Sequence, residues 1–254
     1  MPIAHRNGQQ IAYEIVGDGP PLVLHPGMFQ SGKQWTRAGY TSALARTHSV
    51  ITVDPLGLGG SSAPLDPADY SLPRRAASVT AVLDDLGLAE AAFWGYSLGA
   101  LTGYAVAVHA PERLTRLVAG AFDPIGGFRP AAEALLHDLG LPADADPYPH
   151  MRRAARANPE RAAEIDALDP AALRANYEAF SREPGVHAQL GRTRVPILMY
   201  AGSADVWHDP MRAFADRTGT PFASLPDADH LQAWRDSSRA LGLVRPFLAE
   251  DCGP

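Results

Sequence analysis

Residues 95–99 read GYSLG, a serine with glycine two places away on either side. A serine hydroxyl is a weak nucleophile until a base takes its proton and an acid orients that base. The run 91–95 (AAFWG) reads as a strand entering this pentapeptide, and 97–109 reads as a small-residue helix leaving it, ending before Pro111. So sharp a strand-to-helix turn forces strained backbone on Ser97 and leaves its hydroxyl above the sheet edge, at a helix N-terminus. Gly95 and Gly99 are then small because the backbone approaches itself and the next strand there, and Gly103 lets the helix pack closely. The chemistry implied is attack on an acyl carbonyl.

Such a nucleophile needs partners further along the chain, in the order nucleophile, acid, base. Asp205 falls in a turn after the strand-like PILMYAGSADV, and His230 follows the weaker run FASL. Both sit where a parallel sheet places its ligands, at the carboxyl ends of strands. Ser97, Asp205 and His230 are therefore the expected catalytic residues. Asp123, directly after LTRLVAGA, is the alternative acid; Asp229 adjoins the base but points elsewhere. Among the other histidines, His5, His48, His137, His150 and His187 fall in surface-like or helical segments. His109 ends a helix, His208 could line the pocket, and His25 precedes the nucleophile and is expected to hold its loop. Attack builds charge on the carbonyl oxygen, and losing one donor to it typically costs about 3–4 kcal/mol of barrier. The Leu98 backbone N–H can supply one donor. Met28, in the loop LVLHPGMFQSG, is the choice for the second, with Phe29 or Gly27 possible. Phe29, Tyr96, Phe128, Tyr148 and Trp207 are candidate pocket walls, and they favour an apolar acyl group or lactone ring.

These residues need a scaffold. Asn7-Gly8 between two short runs signals a hairpin, since both turn positions need positive φ. Apolar runs at 21–24, 50–53, 91–95, 114–121 and 196–201, with a weaker one at 222–225, read as strands buried on both faces. Helical spacing occupies 74–86, 97–109 and 237–248. Strands alternating with helices imply an α/β fold with a mostly parallel sheet. Residues 123–190 break the rhythm with helical runs at 131–139, 151–158, 159–168 and 170–180, and no strand. The expected division is a core of 1–122 and 191–254 with a helical cap of 123–190, too long for a plain loop.

With 254 residues, 46% of them hydrophobic, the chain suits one α/β core. Its net charge of −6 argues against a nucleic-acid partner, whose footprint would be a basic face. The single cysteine, Cys252, can form neither an internal disulfide nor a thiolate metal site, and is expected to be an incidental tail thiol. Residues 1–17 lack the basic start and apolar run of a signal peptide, and no stretch approaches the ~20 apolar residues that span a bilayer. The expectation is a cytoplasmic chain with no membrane partner. Its oligomeric state, monomer or homodimer, is left open.

With HPG at 25–27, DPLGLGGSS at 54–62, GYSLG at 95–99, GSAD at 202–205 and DH at 229–230, the chain resembles the alpha/beta-hydrolase superfamily over nearly all its length. The resemblance implies an eight-stranded, mostly parallel sheet with one antiparallel strand near its start, and a cap inserted after the sixth strand. It implies a serine esterase or lactonase acting on a small-molecule ester or lactone, with no metal and no organic cofactor. Serine at residue 97, where aspartate could stand, argues against an epoxide hydrolase or haloalkane dehalogenase. Other uses of the same residues are carbon–carbon bond hydrolysis, thioester hydrolysis, cofactor-free haloperoxidation, and biosynthetic cyclisation or acyl transfer. A ligand receptor with slow turnover is a further one. The chain departs from the family pattern in two places. His-Pro-Gly-Met replaces the usual His-Gly-Gly or His-Gly-x-Pro. The segment Asp54-Pro55-Leu56-Gly57 lacks the arginine that usually props the oxyanion loop, whose support must come from elsewhere.

Overall fold

A computed structural model describes residues 1–250; Cys252 lies outside the described residues. Eight strands form one sheet: β1 (Ile3–Arg6), β2 (Gln9–Val16), β3 (Pro21–His25), β4 (Ser49–Val53), β5 (Ala91–Tyr96), β6 (Leu114–Gly120), β7 (Ile197–Gly202) and β8 (Phe222–Leu225). Their order is β1-β2-β4-β3-β5-β6-β7-β8. β2 runs antiparallel to both its neighbours, and the remaining pairs are parallel. The β1–β2 hairpin turns at Asn7 and Gly8, whose φ values are 51° and 77°, as the Asn-Gly signal requires. Each parallel crossover carries helices, which cover the sheet and make β3, β5, β6 and β7 almost wholly buried.

In chain order the helices are α1 (Lys33–Arg37), α2 (Tyr40–Leu44), α3 (Leu72–Asp85) and α4 (Leu98–His109). Five follow between β6 and β7: α5 (Arg129–Asp138), α6 (Tyr148–Ala155), α7 (Pro159–Asp166), α8 (Pro170–Ser181) and α9 (His187–Leu190). α10 (His208–Thr218), α11 (His230–Arg235) and α12 (Ser237–Ala249) complete the chain. The segment between β6 and β7 is joined to the rest by polar contacts. Asn176 of α8 accepts from the buried Arg75 guanidinium at 2.6 Å and donates to the Leu56 carbonyl.

Three close approaches position everything that follows. A Cβ on Gly95 would lie 2.1 Å from the Gly99 carbonyl oxygen, and one on Gly99 only 2.0 Å from that of His25. A Cβ on Gly103 would lie 2.5 Å from a Leu117 methyl. β5, α4 and the end of β3 thus meet backbone to backbone. Beneath them Trp35, Tyr40, Trp94 and Trp234 form a cluster with centroids 4.6–5.5 Å apart, edge-to-face except for the stacked Tyr40–Trp234 pair. Such pairs each contribute about 0.5–1.5 kcal/mol beyond burial. This cluster ties α1 and α2 to α11 across β5.

β3 ends at His25, which is buried and stacked on Phe93. Burial, then the nearby Arg75 charge, pushes its pKa down to about 3.

Gly99→Ala is expected to cost on the order of 3 kcal/mol, because the clash is with backbone and cannot be relieved by a rotamer. Gly87→Ala, with nothing within 4 Å of its Cβ, meets only the left-handed strain of roughly 1 kcal/mol. Thermal unfolding of both variants checks this, and equal melting temperatures would refute the close approach.

A second expectation concerns acid. Between about pH 6.5 and 3 the unfolded chain protonates His25 while the folded chain does not, so stability falls as pH falls through that window. His25→Phe should make the acid limb of the stability curve shallower, by up to ~1.4 kcal/mol per pH unit. Urea unfolding at stepped pH measures the slope, and an unchanged slope would count against a neutral His25.

Candidate active site

Ser97 joins β5 to α4 with φ 57° and ψ −122°, a conformation that costs a residue with a side chain about 1–3 kcal/mol. The surroundings hold it there. Its N–H donates to the Gly120 carbonyl of β6 at 2.8 Å, and its carbonyl accepts the Ala100 N–H at 2.8 Å. Leu98 opens α4, so its N–H belongs to the first turn and has no carbonyl partner within the helix.

His230 is the first residue of α11, and its backbone is fixed from two sides. Asp229 caps the helix, accepting from Leu231 and Gln232 N–H, while the Gln232 side chain accepts the Asp229 N–H. The Tyr96 hydroxyl donates to the His230 carbonyl at 2.7 Å. The imidazole Nδ1 lies 2.8 Å from Asp205 Oδ2. Asp205 stands in the turn after β7 with its side chain fully buried, and its other oxygen accepts the Trp207 N–H at 3.1 Å. A carboxylate only accepts, so Nδ1 carries the hydrogen and Nε2 is left with a lone pair.

Asp123, the alternative acid, spends both oxygens on its own turn, accepting the Ile125 and Gly126 N–H groups at 2.9 and 2.7 Å. Burial raises its pKa, against the pull of those two bonds. His208 bonds Asp209 through Nδ1 and Ser224 through Nε2, so it turns to β8 and not to the cavity that the sequence reading offered it.

Ser97, Asp205 and His230 all line one cavity of about 520 Å³, together with Met28 and Leu98. Of the five aromatic wall candidates, Phe128 and Trp207 line it. The Trp207 indole N–H is held by the Gly127 carbonyl at 3.0 Å. The other three pack elsewhere: Tyr96 against the His230 and Trp234 rings, and Phe29 against Tyr148 at 6.1 Å. Phe122, Leu135, Met151, Phe180, Val206 and Leu231 supply walls that sequence reasoning did not name. No lysine or arginine is among the lining residues, whereas Asp138 and Asp229 are. Among the described residues no group of three or more His, Cys, Asp or Glu side chains could hold a metal ion, and no helix is long and apolar enough to cross a membrane.

The loop after β3 closes as a turn from Gly27 to Gln30. Gln30 N–H donates to the Gly27 carbonyl at 3.3 Å, and the Gln30 side chain accepts the Gly27 N–H at 3.1 Å. That removes Gly27 as an open donor. The Gly27 carbonyl and Met28 N–H share one planar trans peptide, so a carbonyl turned into the loop points the Met28 N–H the opposite way. Phe29 holds φ 60°, a left-handed value uncommon for a bulky residue. Asp54 secures the far end of the loop, accepting Gly32 N–H and Gly60 N–H at 2.8 Å each. Where the sequence lacks its propping arginine, Arg161 of α7 reaches across and donates to the Phe29 carbonyl at 3.0 Å. The sequence signals this residue only by the gap at 54–57; nothing marks which arginine fills it.

A family model described as "alpha/beta hydrolase fold" matches residues 20–139. The chain is 27% identical over 266 residues to a protein of Stutzerimonas stutzeri named "Putative carbamate hydrolase RutD", covering 95% of this chain and 97% of that one. A protein of the same name from Pseudomonas savastanoi is 41% identical over 97 residues, 38% of this chain and 36% of that protein's length. Among solved structures, the enol-lactonase of Burkholderia xenovorans is similar at 25% identity and TM-score 0.78, over 98% of this chain and 100% of that one. The matched family model, the shared architecture and the end-to-end similarity agree on one fold: this chain has the alpha/beta-hydrolase fold.

Proposed function

We propose that this protein is a serine hydrolase that cleaves a carboxylic ester or lactone of a small, neutral, largely apolar substrate through an acyl-enzyme. The observation that carries the reading is the Asp205–His230 pair facing the same cavity as Ser97. His230 Nε2 takes the Ser97 hydroxyl proton as Oγ attacks the acyl carbonyl. Asp205 keeps the imidazole in the tautomer that can accept that proton, and stabilises the imidazolium that results. The Leu98 and Met28 N–H groups hold the carbonyl oxygen as it becomes negative. The bond to the leaving alcohol breaks with the proton returned from His230. Water then attacks the acyl-enzyme with His230 again as base, releasing the acid and restoring the serine. The mechanism asks nothing of a metal or organic cofactor.

The walls select the substrate. Phe122, Phe128, Met151 and Phe180 suit an apolar acyl chain or ring, and the lining offers no cation to a substrate carboxylate. Asp138 and Asp229 repel one. The named relatives supply two related acyl groups for assay, a carbamate and an enol-lactone.

Ser97→Ala is expected to abolish turnover of p-nitrophenyl butyrate and the mass shift given by a fluorophosphonate, with the melting curve preserved; undiminished turnover would sink the proposal. Asp205→Asn should lower kcat by roughly 10³–10⁴-fold through the wrong histidine tautomer. Asp123→Asn should leave kcat within about threefold, since its oxygens only brace a turn. The reverse ranking would make Asp123 the acid.

The lining charge gives a separate test. A p-nitrophenyl hemisuccinate, which carries a free carboxylate, should show kcat/KM roughly tenfold or more below that of the butyrate, and Asp138→Asn should narrow the gap. Equal kcat/KM for the two esters would refute a cavity built for neutral substrates.

A further inference from the structure

We propose that Arg161 is a positioning residue that completes the oxyanion hole from the cap, so that the hole is fully formed only while α7 is seated on the core. The proposal rests on the serine-hydrolase reading for its chemical consequence, and on independent contacts for its geometry.

The turn at Gly27–Gln30 aims the Met28 N–H, yet it is not self-sufficient. Its third residue, Phe29, stands at φ 60° with a bulky side chain, and such backbone persists only where surroundings over-determine it. Two contacts supply that. The Phe29 ring packs on Tyr148 of α6, and the Phe29 carbonyl accepts Arg161 Nη2 at 3.0 Å. Both come from the insertion between β6 and β7, not from the core that holds the rest of the site.

Arg161 is not placed there as an ion-pair partner. Among the described residues it lies within 4 Å of no carboxylate, and its guanidinium hydrogen-bonds the Phe29 carbonyl alone. The charges facing it are mixed: Glu164 from its own helix favours it, while Arg37 of α1 and Arg235 of α11 oppose it. Half-buried, it holds a backbone carbonyl in a site where two other cations raise its cost. The residues around it dock the helix. Glu160 and Glu164 pair with Arg37, and Glu164 also accepts from Gln34, whose other amide atom braces Ser31 N–H.

Lifting α7 would therefore remove the donor from Phe29 and the grip on Gln34 together. The loop loses its outside support, and the Met28 N–H loses its fixed aim. Substrate can enter beneath a lifted cap, and reseating completes the donor pair. Carbonyl attack is thereby tied to a closed, drier cavity.

The test uses the full chain with Arg161→Gln and Arg161→Lys. Four quantities are measured: kcat and KM on p-nitrophenyl butyrate, the rate of fluorophosphonate labelling at Ser97, the melting temperature, and hydrogen exchange in residues 25–31. Arg161→Gln should lower kcat and the labelling rate by roughly 10–100-fold with KM within about threefold, the mark of an interaction made in the transition state. Melting should shift by no more than roughly 4 °C. Exchange in 25–31 should accelerate while β5 and β6 stay protected. Arg161→Lys, a single-point donor of the same charge, should recover part of the loss. A rise in KM with kcat unchanged would make Arg161 a plain substrate contact and overturn the proposal, as would unaltered kcat. Unaltered exchange in 25–31 overturns it whatever the assay shows. A wild-type chain that neither turns over esters nor labels at Ser97 defeats the serine-hydrolase reading; the exchange comparison still decides whether Arg161 holds the loop.

Discussion

The contact on which the site depends is backbone against backbone, Gly99 at the start of α4 against the carbonyl of His25 at the end of β3. No side chain intervenes, so no rotamer can loosen it. It sets the spacing between the turn that presents Ser97 and the loop that presents Met28. Gly95 continues the same constraint on the other side of the serine. The aromatic cluster of Trp35, Tyr40, Trp94 and Trp234 extends it laterally, and the Tyr40 hydroxyl bonds the Trp234 carbonyl at 2.9 Å. In this way α11, which starts at His230, is registered to the same strand that carries the serine.

The core and the insertion are joined by different physics. Within the sheet, the central strands β3, β5, β6 and β7 bury apolar side chains on both faces and pair with a neighbour on each side. The insertion meets the core through polar contacts as well: Arg75 with Asn176, Gln34 with Glu164, Arg161 with the Phe29 carbonyl. Contacts that water can replace open at lower free energy than a buried sheet does. The insertion's share of the cavity wall is thus drawn from the less stable side, while Ser97, Asp205 and His230 sit on the more stable one.

Much of this was legible in the sequence, and what was not has identifiable causes. Helix starts show it well. At α7, α8 and α12 the sequence pattern starts at the observed first residue, and there Asn158, Asp169 and Asp236 cap the helix with their side chains. At α3, α5 and α6 the pattern starts two or three residues after the helix does, and those helices begin behind Ser71, Phe128 and Pro147 with no side-chain cap. The sequence pattern signals neither α10, which opens behind Trp207 without a cap, nor the six-residue α11, which Asp229 caps. The Gly-x-Ser-x-Gly turn was legible because its steric demand is local. The pairing of Asp205 with His230 was legible because chain order and strand ends restrict the choice. Arg161 and walls such as Phe122 and Phe180 were not, since contacts between distant segments leave no period or spacing to read. The missing arginine at 54–57 announced a need without saying where it would be met.

The strand order also carries a consequence for synthesis. The serine turn and its β3 neighbour lie within the first 100 residues, whereas Asp205 and His230 follow the last two strands, β7 and β8. Chains are made from the N-terminus and their early parts can condense first. Under the proposed mechanism, Ser97 is therefore in hand long before the residues that would activate it. A nascent chain, or a fragment cut within the insertion, holds a serine with no base. Under that mechanism, reactivity would arrive only with the C-terminal fifth of the polypeptide, and incomplete copies would be chemically silent.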